Sequence, residues 1–91
     1  MSDEPREGPT DGARSETLDV RGRTCPMPIL LLTRAVRELA LGERLEVLAD
    51  DAQFPGDVRA WCEYSGNTLV ALETKQDYFV ACVERAERPP R

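Results

Sequence analysis

Between residues 17 and 86 the hydrophobic period of this chain switches back and forth between two and about 3.6, which limits the fold more than any single motif. Residues 17–21 alternate as a short strand that Gly22 stops. Residues 28–40 set Ile29, Leu32, Val36, Leu39 and Ala40 on one helical stripe, with Arg34, Arg37 and Glu38 elsewhere. Leu41-Gly42 ends that helix. Residues 44–49 alternate again, with Leu45, Val47 and Ala49 on one face. Asp50-Asp51 supplies capping residues before a second helix over about 55–65, whose apolar stripe holds Val58, Trp61 and Cys62. Gly66-Asn67 turns the chain into a strand over 68–74, and Lys75-Gln76-Asp77 links it to a last strand over 78–84. The order is βαβαββ. Two helices can cover one face of a four-stranded mixed sheet of this size, so the expected fold is a two-layer α/β sandwich. Its last two strands form a hairpin.

The chain holds one core. Ninety-one residues are too few for two, and a chain so short buries only roughly 60–65% of its unfolded surface. At 41% hydrophobic it folds without a disulfide staple. Residues 1–16 read as a solvated acidic tail, with Asp3, Glu4, Glu7, Asp11 and Glu16 against two arginines and no apolar period. Residues 87–91, with Pro89-Pro90, read as a frayed end, leaving a working domain over 17–86. Three cysteines, at 25, 62 and 82, give an odd count without pairing-type spacing, which points to reduced thiols in a cytoplasm. No apolar run is long enough to span a membrane. A formal charge of −5 disfavours binding to nucleic acid by phosphate neutralisation. The chain has no histidine, which excludes Cys–His catalysis and histidine metal sites within one chain.

The chemistry is concentrated at Cys25-Pro26-Met27-Pro28, directly before Ile29-Leu30-Leu31-Leu32. Proline suits a first helical turn, since its missing N–H would have been unpaired there and its φ is already helical. Cys25 is thus expected at or next to the N-cap, with free backbone N–H groups and the positive end of the helix dipole aimed at its sulfur. That setting predicts a lowered thiol pKa, and Arg21 and Arg23 just upstream would add positive charge. Cysteine is a poor cap beside serine or aspartate, so the thiol reads as functional rather than structural.

These residues resemble the TusA/SirA-like sulfur-carrier family and its Cys-Pro-x-Pro motif. The likeness runs from Leu18-Asp19-Val20-Arg21-Gly22 through the motif and Gly42-Glu43-Arg44-Leu45-Glu46-Val47-Leu48-Ala49-Asp50-Asp51. It continues through Asp57-Val58-Arg59-Ala60-Trp61-Cys62 and Gly66-Asn67-Thr68-Leu69-Val70, and so covers residues 17–85. The resemblance implies a sulfurtransferase-type carrier that holds sulfane sulfur as a persulfide on Cys25, with Pro26, Pro28, Arg21 and Arg23 in support. It implies two protein partners, a donor (a cysteine desulfurase or rhodanese-like protein) and an acceptor, with no cofactor, no metal, no direct nucleic-acid contact and no membrane. Recipients in the family serve tRNA thiolation, molybdenum-cofactor assembly or sulfur oxidation. A persulfide is a stronger acid than a thiol, so a site that favours negative charge favours the loaded state. Passing on the outer sulfur requires attack by a partner's thiolate on an exposed group. The chain departs from the pattern at 52–56, where Phe54 and a Pro-Gly pair stand in place of a small polar or proline-containing segment.

Two other readings compete. In one, the same helix end binds a partner as a regulatory or scaffold module without carrying sulfur. In the other, the sandwich binds nucleic acid, against which stand the net acidity and the few aromatic residues. Cys62, on an apolar helix face, reads as a packing residue, and Cys82, in a strand, as a core residue or a surface bystander. None of the cysteine spacings matches a metal-binding Cys-x-x-Cys pair.

Overall fold

The computed structural model describes residues 15–86. The segments read as an acidic tail and a frayed end lie outside them, apart from Ser15 and Glu16, which open the first strand. Six elements follow in the expected order: β1 (Ser15–Asp19), α1 (Met27–Arg37), β2 (Arg44–Ala49), α2 (Phe54–Ser65), β3 (Thr68–Thr74) and β4 (Phe79–Glu84). The strands form a mixed four-stranded sheet in the order β1-β2-β4-β3. β1 lies parallel to β2, while β4 runs antiparallel to both β2 and β3.

One sheet face carries the core. Leu18 and Val20 share it with Leu45, Val47 and Ala49 of β2 and with Ala81 and Val83 of β4, as the register dictates. Leu32 and Val36 of α1, Leu39 just beyond it, and Phe54, Val58 and Cys62 of α2 fill the space above. Both helices therefore cover that single face. The other face stays open, with Glu46 and Arg44 on it and Arg44 paired to Glu84 at 3.0 Å. Phe54 is the largest fully buried side chain among the described residues. The helices are also tied to each other by Trp61 Nε1–H, which donates to Thr33 Oγ1 at 3.1 Å.

Element ends differ from the sequence reading for local reasons. β1 starts two residues early and stops at Asp19, whose carboxylate accepts the Arg21 N–H at 3.0 Å and bends the chain out of the strand. α1 closes at Arg37 rather than Ala40. Its last turn tightens as the Glu38 and Leu39 N–H groups return to the Ala35 and Val36 carbonyls, while Arg85 Nη1 donates to the Arg37 and Leu39 carbonyls and the Ala40 N–H donates to Glu43 Oε1 at 2.8 Å. Ala40 is consequently exposed, not part of the buried stripe, and Ile29 is half-buried. α2 ends as its sequence suggests. Gly66, at φ +86°, adopts the left-handed conformation that a side chain resists and returns its N–H to the Cys62 carbonyl at 3.0 Å. β3 carries an irregularity between Leu69 and Ala71 that turns Val70 outward.

Leu32 is fully buried at the centre of α1, and Leu32→Ala is expected to cost about 2–5 kcal/mol in denaturant unfolding. A loss under about 1 kcal/mol would mean that another face of α1 meets the sheet.

Candidate functional site

Because β1 and β2 are parallel, their C-terminal ends lie side by side, and the loops that follow them meet at one edge of the sheet. Open α/β sheets place their sites at that edge. Two neighbouring carboxylates join the loops here. Asp50 Oδ1 accepts the Gly22 N–H at 3.0 Å, and Asp51 Oδ2 accepts the Cys25 N–H at 2.8 Å. The expectation that Asp50-Asp51 caps α2 needs correction. The N-cap of α2 is Gln53, no side chain caps it, and Asp51 gives its own turn only a 3.2 Å contact with the Gln53 N–H. The crossover brings unpaired N–H groups of residues 22 and 25 to the same place, and the carboxylates satisfy those instead.

Cys25 stands exposed at this edge, one residue before Pro26, the N-cap of α1. Its placement next to the helix start is as the sequence suggested, and Pro28 lies in the first turn with its side chain buried. The donors expected around the sulfur are spent, however. Pro26 and Pro28 have no N–H, Met27 gives its N–H to the Thr24 carbonyl at 2.9 Å, and the Cys25 N–H belongs to Asp51. Pro26 and Pro28 thus remove two of the N–H donors that a helix start otherwise offers.

The charges oppose a thiolate too. Partial desolvation pushes the Cys25 thiol up, and the negative charge of the Asp57 carboxylate pushes it further. Asp51 adds to the rise. The lowered thiol pKa expected from the sequence is therefore corrected to a raised one. Arg21 does not compensate. Its Nε and Nη2 bind the two Asp19 oxygens at 3.0 and 2.8 Å, and its guanidinium lies 4.9 Å over the Tyr78 ring. That pairing holds the Asp19 carboxyl well below the usual carboxylate range. Arg23 and Arg21 line a shallow depression with Asp19, Gly22, Asp50 and Asp77, of which Cys25 is not part. Arg21 and Arg23 thus share a surface with each other rather than with the sulfur.

Sequence reasoning passed over Asp57 as a site residue. The signal available was an acidic residue in the first turn of α2, a position usually explained by the helix dipole alone. Only the tertiary fold shows that this turn faces the start of α1.

The remaining thiols differ in kind. Cys62 is buried in the core and its thiol is pushed up to about 11 by desolvation. Cys82 is half-buried on the open face of the sheet, paired in register with Glu46 and Ala71. At pH 8, alkylation of the folded protein should follow exposure, with Cys25 first and Cys62 last, as read by peptide mass. Equal labelling of Cys62 would show that α2 opens. The buried thiol also carries a pH consequence. Stability from keeping Cys62 protonated is complete below about pH 9 and is lost as pH climbs towards about 11, where the unfolded chain has already given up that proton.

Comparison with known proteins agrees with this geometry. The family model for the sulfurtransferase TusA matches residues 16–85. Two proteins of Neisseria meningitidis named as candidate sulfur carriers, from a serogroup A and a serogroup B strain, are each 40% identical over 70 residues. Each alignment covers 77% of this chain and 95% of the relative. The crystal structure of a SirA-like protein from Desulfitobacterium hafniense superposes with a TM-score of 0.68 at 25% identity, over 79% of this chain and 99% of that one. The family-model match over residues 16–85, with 40% identity to the two Neisseria proteins, leads to one conclusion: the chain belongs to the TusA sulfurtransferase family.

Proposed function

We propose that this protein is a sulfur carrier that accepts sulfane sulfur from a donor protein as a persulfide on Cys25 and hands it to an acceptor. The observation that carries the reading is the position of Cys25, an exposed free thiol at the edge where the parallel strands end, in a chain of this family. Attack on a persulfide, and later attack by an acceptor on the carried sulfur, both need an open approach to Sγ. Exposed Met27 and Leu30 beside it on α1 offer apolar surface to a docking protein. Both partners are proteins, and the donor is a cysteine desulfurase or a rhodanese-like protein. Pro26 and Pro28 support the site by starting α1 directly after the cysteine. We place the carrier in the cytoplasm, where its three thiols stay reduced. Among the described residues no helix is long and apolar enough to cross a membrane.

The reading is tested with Cys62→Ser and Cys82→Ser combined in one chain. Incubated with a cysteine desulfurase and cysteine, this variant should still gain the mass of one sulfur atom and release it to dithiothreitol. Loss of that gain in a folded variant would move the chemistry away from Cys25.

A further inference from the structure

We infer that Asp51 is a positioning residue of this carrier: its carboxylate holds the Cys25 backbone against the start of α2, so that Sγ is presented to a docked protein donor in one orientation. The inference rests on the carrier reading and adds to it the residue that aims the sulfur.

Burial of side chains does not hold the segment that carries Cys25. Between the buried Val20 and the buried Pro28, every residue is exposed. The segment is tied down through its backbone instead. Asp19 Oδ1 accepts the Arg21 N–H at 3.0 Å, Asp50 Oδ1 accepts the Gly22 N–H at 3.0 Å, and the Val20 carbonyl accepts the Arg23 N–H at 3.1 Å. Asp51 Oδ2 accepts the Cys25 N–H at 2.8 Å, the shortest of these four ties and the one on the cysteine itself.

Asp51 also differs from the other acceptors in what it joins. Asp19 and Val20 are near neighbours of their donors and shape the loop only locally. Asp51 lies 26 positions beyond Cys25, just after β2, whose residues 44–48 are paired on both sides. Its second oxygen accepts the N–H of Gln53, the N-cap of α2, at 3.2 Å. One carboxylate thus links the cysteine to the central strand and to the second helix. Both of its oxygens are engaged by backbone N–H groups, which suits it to fixing a backbone rather than to moving protons.

The transfer step gains from such fixing. Cys25 Sγ forms a bond to the outer sulfur of the donor's persulfide as the donor's S–S bond breaks. The electron pair of that bond leaves with the donor cysteine as a thiolate, which takes up the proton that Cys25 gives up. The entering, central and departing sulfurs must lie close to one line, and a docked protein offers its persulfide from one direction only. A cysteine that swings with its loop meets that geometry rarely. A small alkylating reagent approaches from any open side and does not need the loop fixed.

The test compares the wild type with Asp51→Ala, Asp51→Asn and Asp50→Ala. Three quantities are read: hydrogen exchange at the Cys25 amide by NMR, sulfur loading by a cysteine desulfurase and cysteine over a range of carrier concentrations, and iodoacetamide alkylation of Cys25. Asp51→Ala should speed Cys25 amide exchange about tenfold or more. It should lower the loading rate at saturating carrier about tenfold or more, with the half-saturating concentration changed less than about threefold. Alkylation at pH 7.5 should change in the opposite direction and become faster, because the Asp51 charge that helps to push the thiol up is gone. Asp51→Asn removes the same charge but keeps a carbonyl oxygen for the Cys25 N–H, so it should recover most of the loading rate while alkylation stays fast. Asp50→Ala, which frees Gly22 and not Cys25, should slow loading less than Asp51→Ala. Wild-type loading by Asp51→Ala, or equal loss in the Ala and Asn variants, would overturn the inference. If Asp51→Ala does not fold, the wild type decides, since a Cys25 amide that exchanges like an unprotected one contradicts the brace. A wild type that takes up no sulfur would instead overturn the carrier reading beneath it.

Discussion

Replacing Cys25 with serine is expected to abolish sulfur acceptance and leave the fold standing. The residue is exposed and precedes the helix, so its side chain fills no part of the core, and the backbone N–H that binds Asp51 is retained. Stability should change by no more than about 0.5 kcal/mol. A hydroxyl cannot hold a persulfide, and the other thiols cannot replace this one. Cys62 is closed off by packing and Cys82 sits on the open sheet face, away from the strand ends where the loops meet. A Cys25→Ser protein that still acquires transferable sulfur would leave the partner-binding module as the better description of this helix end.

The largest stability effect should come from Phe54→Ala. The ring is 1% exposed and sits in the first turn of α2, where it joins the core shared by both helices and the sheet. Truncation of a buried phenylalanine costs about 3–5 kcal/mol. A domain of this size has roughly 5–15 kcal/mol in total, so much of the reserve would go, and the melting temperature should fall by tens of degrees at about 4–8 °C per kcal/mol. Unfolding by urea measures it. A fall in midpoint matching less than about 1 kcal/mol would show that residues 52–56 are a surface insertion.

Periodicity made most of the architecture legible. The alternation in residues 44–49 marks β2 to the residue, since Leu45, Val47 and Ala49 all face the core and residues 44–48 are paired on both sides. Gly66 marked the end of α2 because only the left-handed backbone closes that helix. The end of α1 was not legible. The Arg37 carbonyl at its end and the Leu39 carbonyl beyond it accept from Arg85, 48 and 46 positions away, and no local pattern encodes such a partner.

The site divides in the same way. The location of Cys25 followed from local rules, because prolines directly before an aliphatic run favour a helix start. Its electrostatics did not follow. The helix-end rule counts N–H groups that two prolines delete, and it counts Arg21, whose charge Asp19 absorbs two residues earlier. Asp51 and Asp57 reach the cysteine from 26 and 32 positions further along the chain, through the packing of α2 beside α1. The thiol's chemistry is therefore a property of the tertiary contact.

Peptide mapping of the protein after incubation with a cysteine desulfurase and isotopically labelled cysteine tests the carrier mechanism most directly. The labelled sulfur should appear as a persulfide on the peptide containing Cys25 and on no other, and should leave when a thiol acceptor is added. Labelled sulfur on the Cys62 or Cys82 peptide, or none on Cys25 under conditions where the desulfurase turns over, would contradict it.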